Sequence, residues 1–193
     1  MKLVTMILPI YLYGSPVLRR EAEDVDLGST TKEEMKEFFE NMSETMKNAD
    51  GCGLAAPQVG VSKRILLVDG NDLADTYPEL KGFERRMINP EIVSESEETI
   101  EFGEGCLSLP NVNADIVRPK VITVHYFNEN LEEVEETFDE FAARMVQHEM
   151  DHLEGVLFTD KAAPIRKKII AKRLQNIAKG LTRTFYKTKL DKN

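Results

Sequence analysis

The stretch Gln147-His148-Glu149-Met150-Asp151-His152 constrains this chain more than any other. It is an H-E-x-x-H motif. On a helix, its two histidines lie one turn apart on one face, so both imidazoles can reach one metal ion. Glu149 stands beside them, placed to move protons for a water that the metal activates. Two of the chain's three histidines are used here. Hydrophobic periodicity puts the motif in the interior. Phe138, Phe141, Ala142, Met145 and Leu153 recur at helical spacing, and the same steps carry the stripe through His148, Glu149 and His152. Two histidines and a carboxylate on a buried face need partners, and a metal is the simplest. The plainer alternative is a pair of satisfied core histidines. Thr137 and Glu140 fit a capping box at the start of this helix. The acidic residues at 139 and 140 suit the positive end of its dipole. Gly155 sits where a left-handed cap belongs.

A chain of 193 residues with 41% hydrophobic and 31% charged residues reads as one domain with a substantial core. No apolar run approaches the roughly 18 residues that a membrane span needs. Residues 1–13 are apolar but contain Pro9, and they lack the basic start and small-residue cleavage site of a signal peptide. A cytoplasmic location follows. Cys52 and Cys106 are then reduced thiols, which raises the weight of a metal-binding or reactive role. The net charge of −9 hides an asymmetry, because residues 161–193 hold eleven Lys or Arg against one acid, Asp191. A solvated helix face is the ordinary explanation. The functional one is a dock for a polyanion such as RNA.

Along the chain, residues 14–28 are turn-rich. Residues 31–49 read as a helix with a Thr31/Glu34 capping box and a core stripe of Met35, Phe38, Phe39, Met42 and Met46. Residues 64–68 read as a buried strand. Residues 69–86, broken by Gly70, Pro78 and Gly82, read as a surface loop or insertion. Strands are expected at 87–93 and 98–102. A hairpin is expected from 121–127 and 131–137, with His125 structural or exposed. A final helix at 164–181 would turn Ile165, Ile169, Ile170, Leu174, Ile177 and Ala178 inward. Strands in runs with helices at the start, centre and end indicate an α+β fold with antiparallel sheets.

A catalytic metal site commonly has three protein ligands, so the histidines need a third. Cys106, within Gly103-Glu104-Gly105-Cys106-Leu107-Ser108-Leu109-Pro110, is the best candidate. Its neighbouring glycines permit close backbone approach, and the Leu107 N–H follows directly. Isolated cysteines are also commonly small core hydrophobes. A third segment, Gly51-Cys52-Gly53-Leu54-Ala55-Ala56-Pro57-Gln58-Val59-Gly60, offers the Gln58 amide as a donor to a developing oxyanion. Alone, that segment is only a loop of small residues.

Taken together, G-C-G-L-A-A-P-Q, E-G-C-L-S-L-P and Q-H-E-M-D-H-L-E-G, in this order and spacing, resemble the peptide deformylases. Tyr13-Gly14-Ser15-Pro16-Val17-Leu18-Arg19 shares the likeness, which spans residues 7–160. The resemblance implies antiparallel β-sheets packed around a central metal-binding helix. It also implies removal of the N-formyl group from the formylmethionine of new polypeptides. Cys106, His148 and His152 would hold one divalent metal, with Fe(II) the typical ion and Ni, Co or Zn able to replace it. Glu149 would move the proton, while Gln58 and the Leu107 N–H would meet the charge on the formyl oxygen. Gly53 would contact the peptide backbone, and Glu104 and Asp151 would support the ligands from behind. Phe141, Met145 and Cys52 would line a methionine pocket. Two positions depart from the family pattern: Arg144 replaces an apolar residue and Asn113 a basic one. The segment 69–86 is also long for the shorter bacterial forms. On this reading the chain is a single catalytic domain, 1–193, with a basic C-terminal helix and tail from about residue 161. Its partners would be N-formylmethionyl nascent chains and, through the tail, the ribosome, with no membrane or DNA partner. Two alternatives stand beside it. One is another H-E-x-x-H metallopeptidase. The other is a non-catalytic protein with a closed zinc site of Cys52, Cys106, His148 and His152.

Overall fold

The apolar run Ile65–Val68 has no polar face, so its strand must be covered on both sides. In a computed structural model that describes residues 5–191, it is. The strands and helices run, in chain order, β1 (Ile10–Tyr11), α1 (Lys32–Asn48), β2 (Gly53–Ala55), β3 (Ile65–Asp69), β4 (Glu84–Glu95), β5 (Thr99–Cys106), β6 (Leu109–Pro119), β7 (Val121–Phe127), β8 (Glu133–Asp139), α2 (Glu140–Leu153), α3 (Phe158–Lys161), α4 (Pro164–Ala178) and β9 (Thr188–Lys189). A five-stranded antiparallel sheet has the order β2-β3-β4-β7-β8. From β3, Leu66 and Val68 pack with Val146 and Met150 of α2, while Ile65 and Leu67 pack with Phe39 and Met42 of α1. Each side chain so buried contributes roughly 1.5–3 kcal/mol.

The capping box of α1 forms as expected. Thr31 Oγ1 accepts from Glu34 N at 3.2 Å, and Thr31 N donates to Glu34 Oε2 at 2.9 Å. β5 and β6 form a separate antiparallel ribbon, backed by α3 and α4 through Leu157, Phe158, Ile170 and Ile177. α2 therefore lies between the sheet and the ribbon. Every residue from Ala142 to Met150 is buried, as in a helix covered all round. Antiparallel sheets do pack around the motif helix.

Four expectations from the sequence need correction. β6 is a full strand where the sequence indicates none. Val112, Ala114, Ile116 and Arg118 alternate inward along it, but Asn113 and Asp115 between them weaken the strand signal. The 69–86 segment is not wholly superficial. Its short 3-10 turns, Asn71–Leu73 and Pro78–Leu80, bury Leu80 completely, and Phe83 joins the core. Thr137 does not cap α2, because it lies in β8 with its hydroxyl 2.9 Å from that of Thr123 across the sheet. The Glu140 carboxylate pairs with Lys120 instead. Finally, α4 turns only Ile170 and Ile177 fully inward. Leu174 and Ala178 are half-buried, and Ile165 and Ile169 are 67% and 63% exposed. Beyond α4, Gly180 at φ +73° turns the chain back, and β9 pairs in parallel with β1. Among the described residues, no helix is long and apolar enough to cross a membrane.

Candidate metal centre and active site

β8 runs straight into α2, with Asp139 both the last strand residue and the N-cap. Anchored in this way, α2 carries His148, Glu149 and His152 into the interior. The helix stops at Gly155, whose φ is +67° and where a Cβ would lie 2.8 Å from the Arg19 carbonyl carbon and oxygen. Both the left-handed backbone and the close approach require glycine there.

Cys106 arrives from the ribbon. The β5–β6 pairing shifts register between Gly105 and Cys106, an irregularity of the kind that re-aims a side chain. Its Sγ lies 3.2 Å from His152 Nε2. The candidate ligand atoms of Cys106, His148 and His152 all lie within 4.8 Å of one another. Cys52 is not in that group. It packs half-buried against the apolar core, and burial pushes its thiol up to about 11, with Glu149 adding to the effect. The closed two-Cys, two-His site is not formed.

Behind the histidines lies a buried ionic network. His148 Nδ1 is 2.8 Å from Glu104 Oε2, the arrangement that commonly orients a ligating imidazole. Glu104 accepts from Arg118 Nε at 2.6 Å and Nη2 at 2.9 Å, and from Arg144 Nη1 at 2.6 Å. Arg118 Nη1 donates in turn to Asp151 Oδ2 at 2.7 Å, and Lys161 Nζ holds Asp151 Oδ1 at 2.8 Å. Burial alone would raise the Glu104 carboxyl. The hydrogen bonds from Arg118 and His148 outweigh it and hold the group well below the ordinary carboxylate range. Asp151 thus reaches the histidines only through Arg118 and Glu104. Sequence reasoning missed Arg118. The alternation along β6 was the signal that could have found it, since it puts Arg118 on the inward face. Arg144 is also explained: it is buried and bonded to Glu104 and to the Ile100 carbonyl at 2.6 Å.

A cavity of about 480 Å³ opens in front of these groups. Gly53, Gln58, Leu107, Phe141, Met145 and Glu149 line it, as does Cys52, so every residue assigned to catalysis or substrate in the sequence reaches it. Gln58 is fixed by its carbonyl end, which accepts from Ala55 N at 2.8 Å. Its amide nitrogen therefore points the other way, 3.2 Å from Ser108 Oγ and 3.4 Å from Cys106 Sγ. Gly53 leaves room for Glu149, because a Cβ there would stand 2.3 Å from Glu149 Oε1. Burial pushes the Glu149 carboxyl up to about 7, against the pull of His148. Its Oε2 is buried without a hydrogen-bond partner. Unpaired buried carboxylate oxygens are costly and mark sites where something else binds.

The donor set fits a divalent metal: one thiolate and two imidazoles in mutual reach, a carboxylate behind one imidazole and an uncompensated carboxylate beside them. Fold and site together are those of a metal-dependent hydrolase, with Cys106, His148 and His152 placed so that they could hold the ion. The chain belongs to the polypeptide deformylase family, whose model matches residues 7–168. A peptide deformylase of Flavobacterium johnsoniae is 46% identical over 95% of this chain and 96% of its own length. One from Flavobacterium psychrophilum is 44% identical over 96% and 97%. Among solved structures, peptide deformylase from Plasmodium falciparum aligns with a TM-score of 0.79 at 34% identity, covering 89% of this chain and 95% of its own. That from Thermotoga maritima aligns with a TM-score of 0.73 at 42% identity, covering 82% and 99%.

Proposed function

We propose that this site hydrolyses the N-formyl amide of formylmethionine at the start of a new polypeptide, releasing formate. The observation that carries the reading is the buried, unpartnered Glu149 Oε2 beside three convergent metal-ligand atoms, with Glu149, Cys106 and His148 lining a cavity. Cys106, His148 and His152 would hold the metal, Fe(II) in the native enzyme, with Ni, Co or Zn as substitutes. When bound, it supplies Lewis acidity and a nucleophile usable at neutral pH.

The rest is done by side chains and backbone. Glu149 takes the proton of the attacking water and later gives it to the departing amine, as general base and then general acid. A carboxyl raised by burial is suited to both directions, and a nearby cation would pull it back towards ionisation. Negative charge grows on the formyl oxygen, where the oriented Gln58 amide and the Leu107 N–H can donate to it. Gly53 offers backbone to the peptide, and Phe141, Met145 and Cys52 offer an apolar wall to the methionine side chain. Glu104 holds the His148 ring, with Asp151 acting through Arg118.

The same reading makes residues 1–193 one catalytic domain working in the cytoplasm. Its basic C-terminal helix and tail would contact ribosomal RNA near emerging chains. Of the cations there, Lys168 and Lys172 are exposed, whereas Arg166 and Arg173 donate to backbone carbonyls of β6. Two cysteine variants test the centre. Cys106→Ala is expected to lose bound metal and formate release together. Cys52→Ala is expected to keep both. Loss of metal from Cys52→Ala, or retention by Cys106→Ala, would contradict the assignment.

A further inference from the structure

The family match ends at residue 168, yet the candidate active site is lined in part by residues well beyond it. We infer that the C-terminal segment Arg183–Tyr186 is the peptide-side wall of the active site, and that Phe185 selects for an apolar side chain at the residue after methionine. This rests on the deformylase reading above.

Four consecutive residues, Arg183, Thr184, Phe185 and Tyr186, line the same cavity as Glu149, Gln58 and Leu107. The segment is built into place. Tyr186 donates its phenol hydrogen to the Leu107 carbonyl at 2.7 Å. Thr184 Oγ1 donates to the Tyr186 carbonyl at 2.9 Å, which stiffens the turn between them. On the far side, the Lys187 and Lys189 carbonyls each accept a backbone hydrogen bond of 2.9 Å, from Ile10 and Leu12, and Asp191 N donates to Ser15 Oγ at 3.2 Å. With Tyr186 tethered to Leu107 and the chain after it held against β1, this stretch is a wall that a substrate must meet.

Within that wall, Phe185 is 73% exposed, its ring standing perpendicular to that of Tyr186 at 5.2 Å. A large aromatic ring left in water is unremarkable when scattered on a surface. On the lining of a substrate cavity, supported by a tethered neighbour, it is area waiting to be covered. The floor of the cavity belongs to His148 and Glu149, where the formyl group must lie for reaction, and Phe141 and Met145 of the same helix stand next to that floor. An exposed residue at the rim meets the second residue of the peptide. The flanking exposed charges on the lining, Asp50 and Arg183, are opposite in sign and give no net bias to one charge. The apolar ring is therefore the discriminating feature.

The test compares formyl-Met-Leu-Ser with formyl-Met-Gly-Ser on metal-loaded full-length protein. The parent is expected to favour the leucine peptide in kcat/KM by about fivefold, the size of a partly buried apolar contact. Phe185→Ala should bring that ratio close to one, by lowering kcat/KM for the leucine peptide several times more than for the glycine peptide. Phe185→Leu should retain most of the preference. The inference is overturned if the parent shows no preference, or if Phe185→Ala keeps it. Equal losses on both peptides would also overturn it, since they would mark a merely structural role. A folded, metallated parent that releases formate from neither peptide overturns the deformylase reading instead, and this inference with it.

Discussion

α2 and the segment from α4 to β9 are both tied to the same cavity, but by opposite means. α2 is buried on every side and carries its chemistry inward, with His148 backed by Glu104. α4 lies on the surface, shows two isoleucines to solvent, and leads to a tail held by a few backbone bonds and one tyrosine hydroxyl. Interior polar groups are expensive unless satisfied, so α2 leaves little freedom in what it can be. Exposed apolar groups are cheap, so α4 can vary. The lesson is that chemistry is fixed where burial makes errors costly, and substrate preference can be written where it does not.

The contrast predicts a wide gap in the response to mutation. The largest effect is expected for Glu104→Gln, which leaves Arg118 and Arg144 buried with their shared carboxylate gone. Breaking a buried pair of this kind costs roughly 3–5 kcal/mol, to be read from urea unfolding. Loss of the carboxylate behind His148 should also weaken metal binding by about 10- to 100-fold, measured by competition with a chelator. An unchanged unfolding midpoint would remove the distinction between the two regions. The same carboxylate gives a pH signature. Its folded value lies below the ordinary 4.5, so its stabilisation is complete above that pH. It is lost as pH falls below 4.5 towards the depressed folded value. Glu104→Gln should therefore flatten the acid limb of the stability profile. At the other extreme, Ile165→Lys or Ile169→Lys should change stability by only about 0.5 kcal/mol or less. A loss of several kcal/mol there would show that α4 is covered by a partner in solution.

How much of this was legible in the sequence follows the same division. The motif helix, the Thr31 cap and the buried strand, read at 64–68 and formed as Ile65–Asp69, announce themselves through period, spacing and composition. Cys106, His148 and His152 were recognisable as residue types in short segments, and the fold brings their ligand atoms together. The partners of Glu104 were not legible. Arg118 lies in a strand diluted by Asn113 and Asp115, and Arg144 on an apolar helix face reads as an exception until its carboxylate is seen. Nor does periodicity say which apolar residues of α4 find a neighbour. It marked Ile165 and Ile169 as inward because their spacing is helical, but only the ribbon's position decides which face is covered. The tail carried no motif at all. Its place beside Leu107 comes from the β1–β9 pairing, a contact between the two ends of the chain.

The most direct test of the central claim is formate release from formyl-Met-Ala-Ser by the parent and by Glu149→Gln. Both are loaded anaerobically with Fe(II) or Ni(II), and both are assayed for bound metal. The account predicts metal-dependent release by the parent. It predicts a loss of at least about 100-fold in the variant, the scale of a proton-transfer group, with metal retained. A metal-loaded variant that turns over like the parent would contradict it, as would a folded, metallated parent that releases no formate.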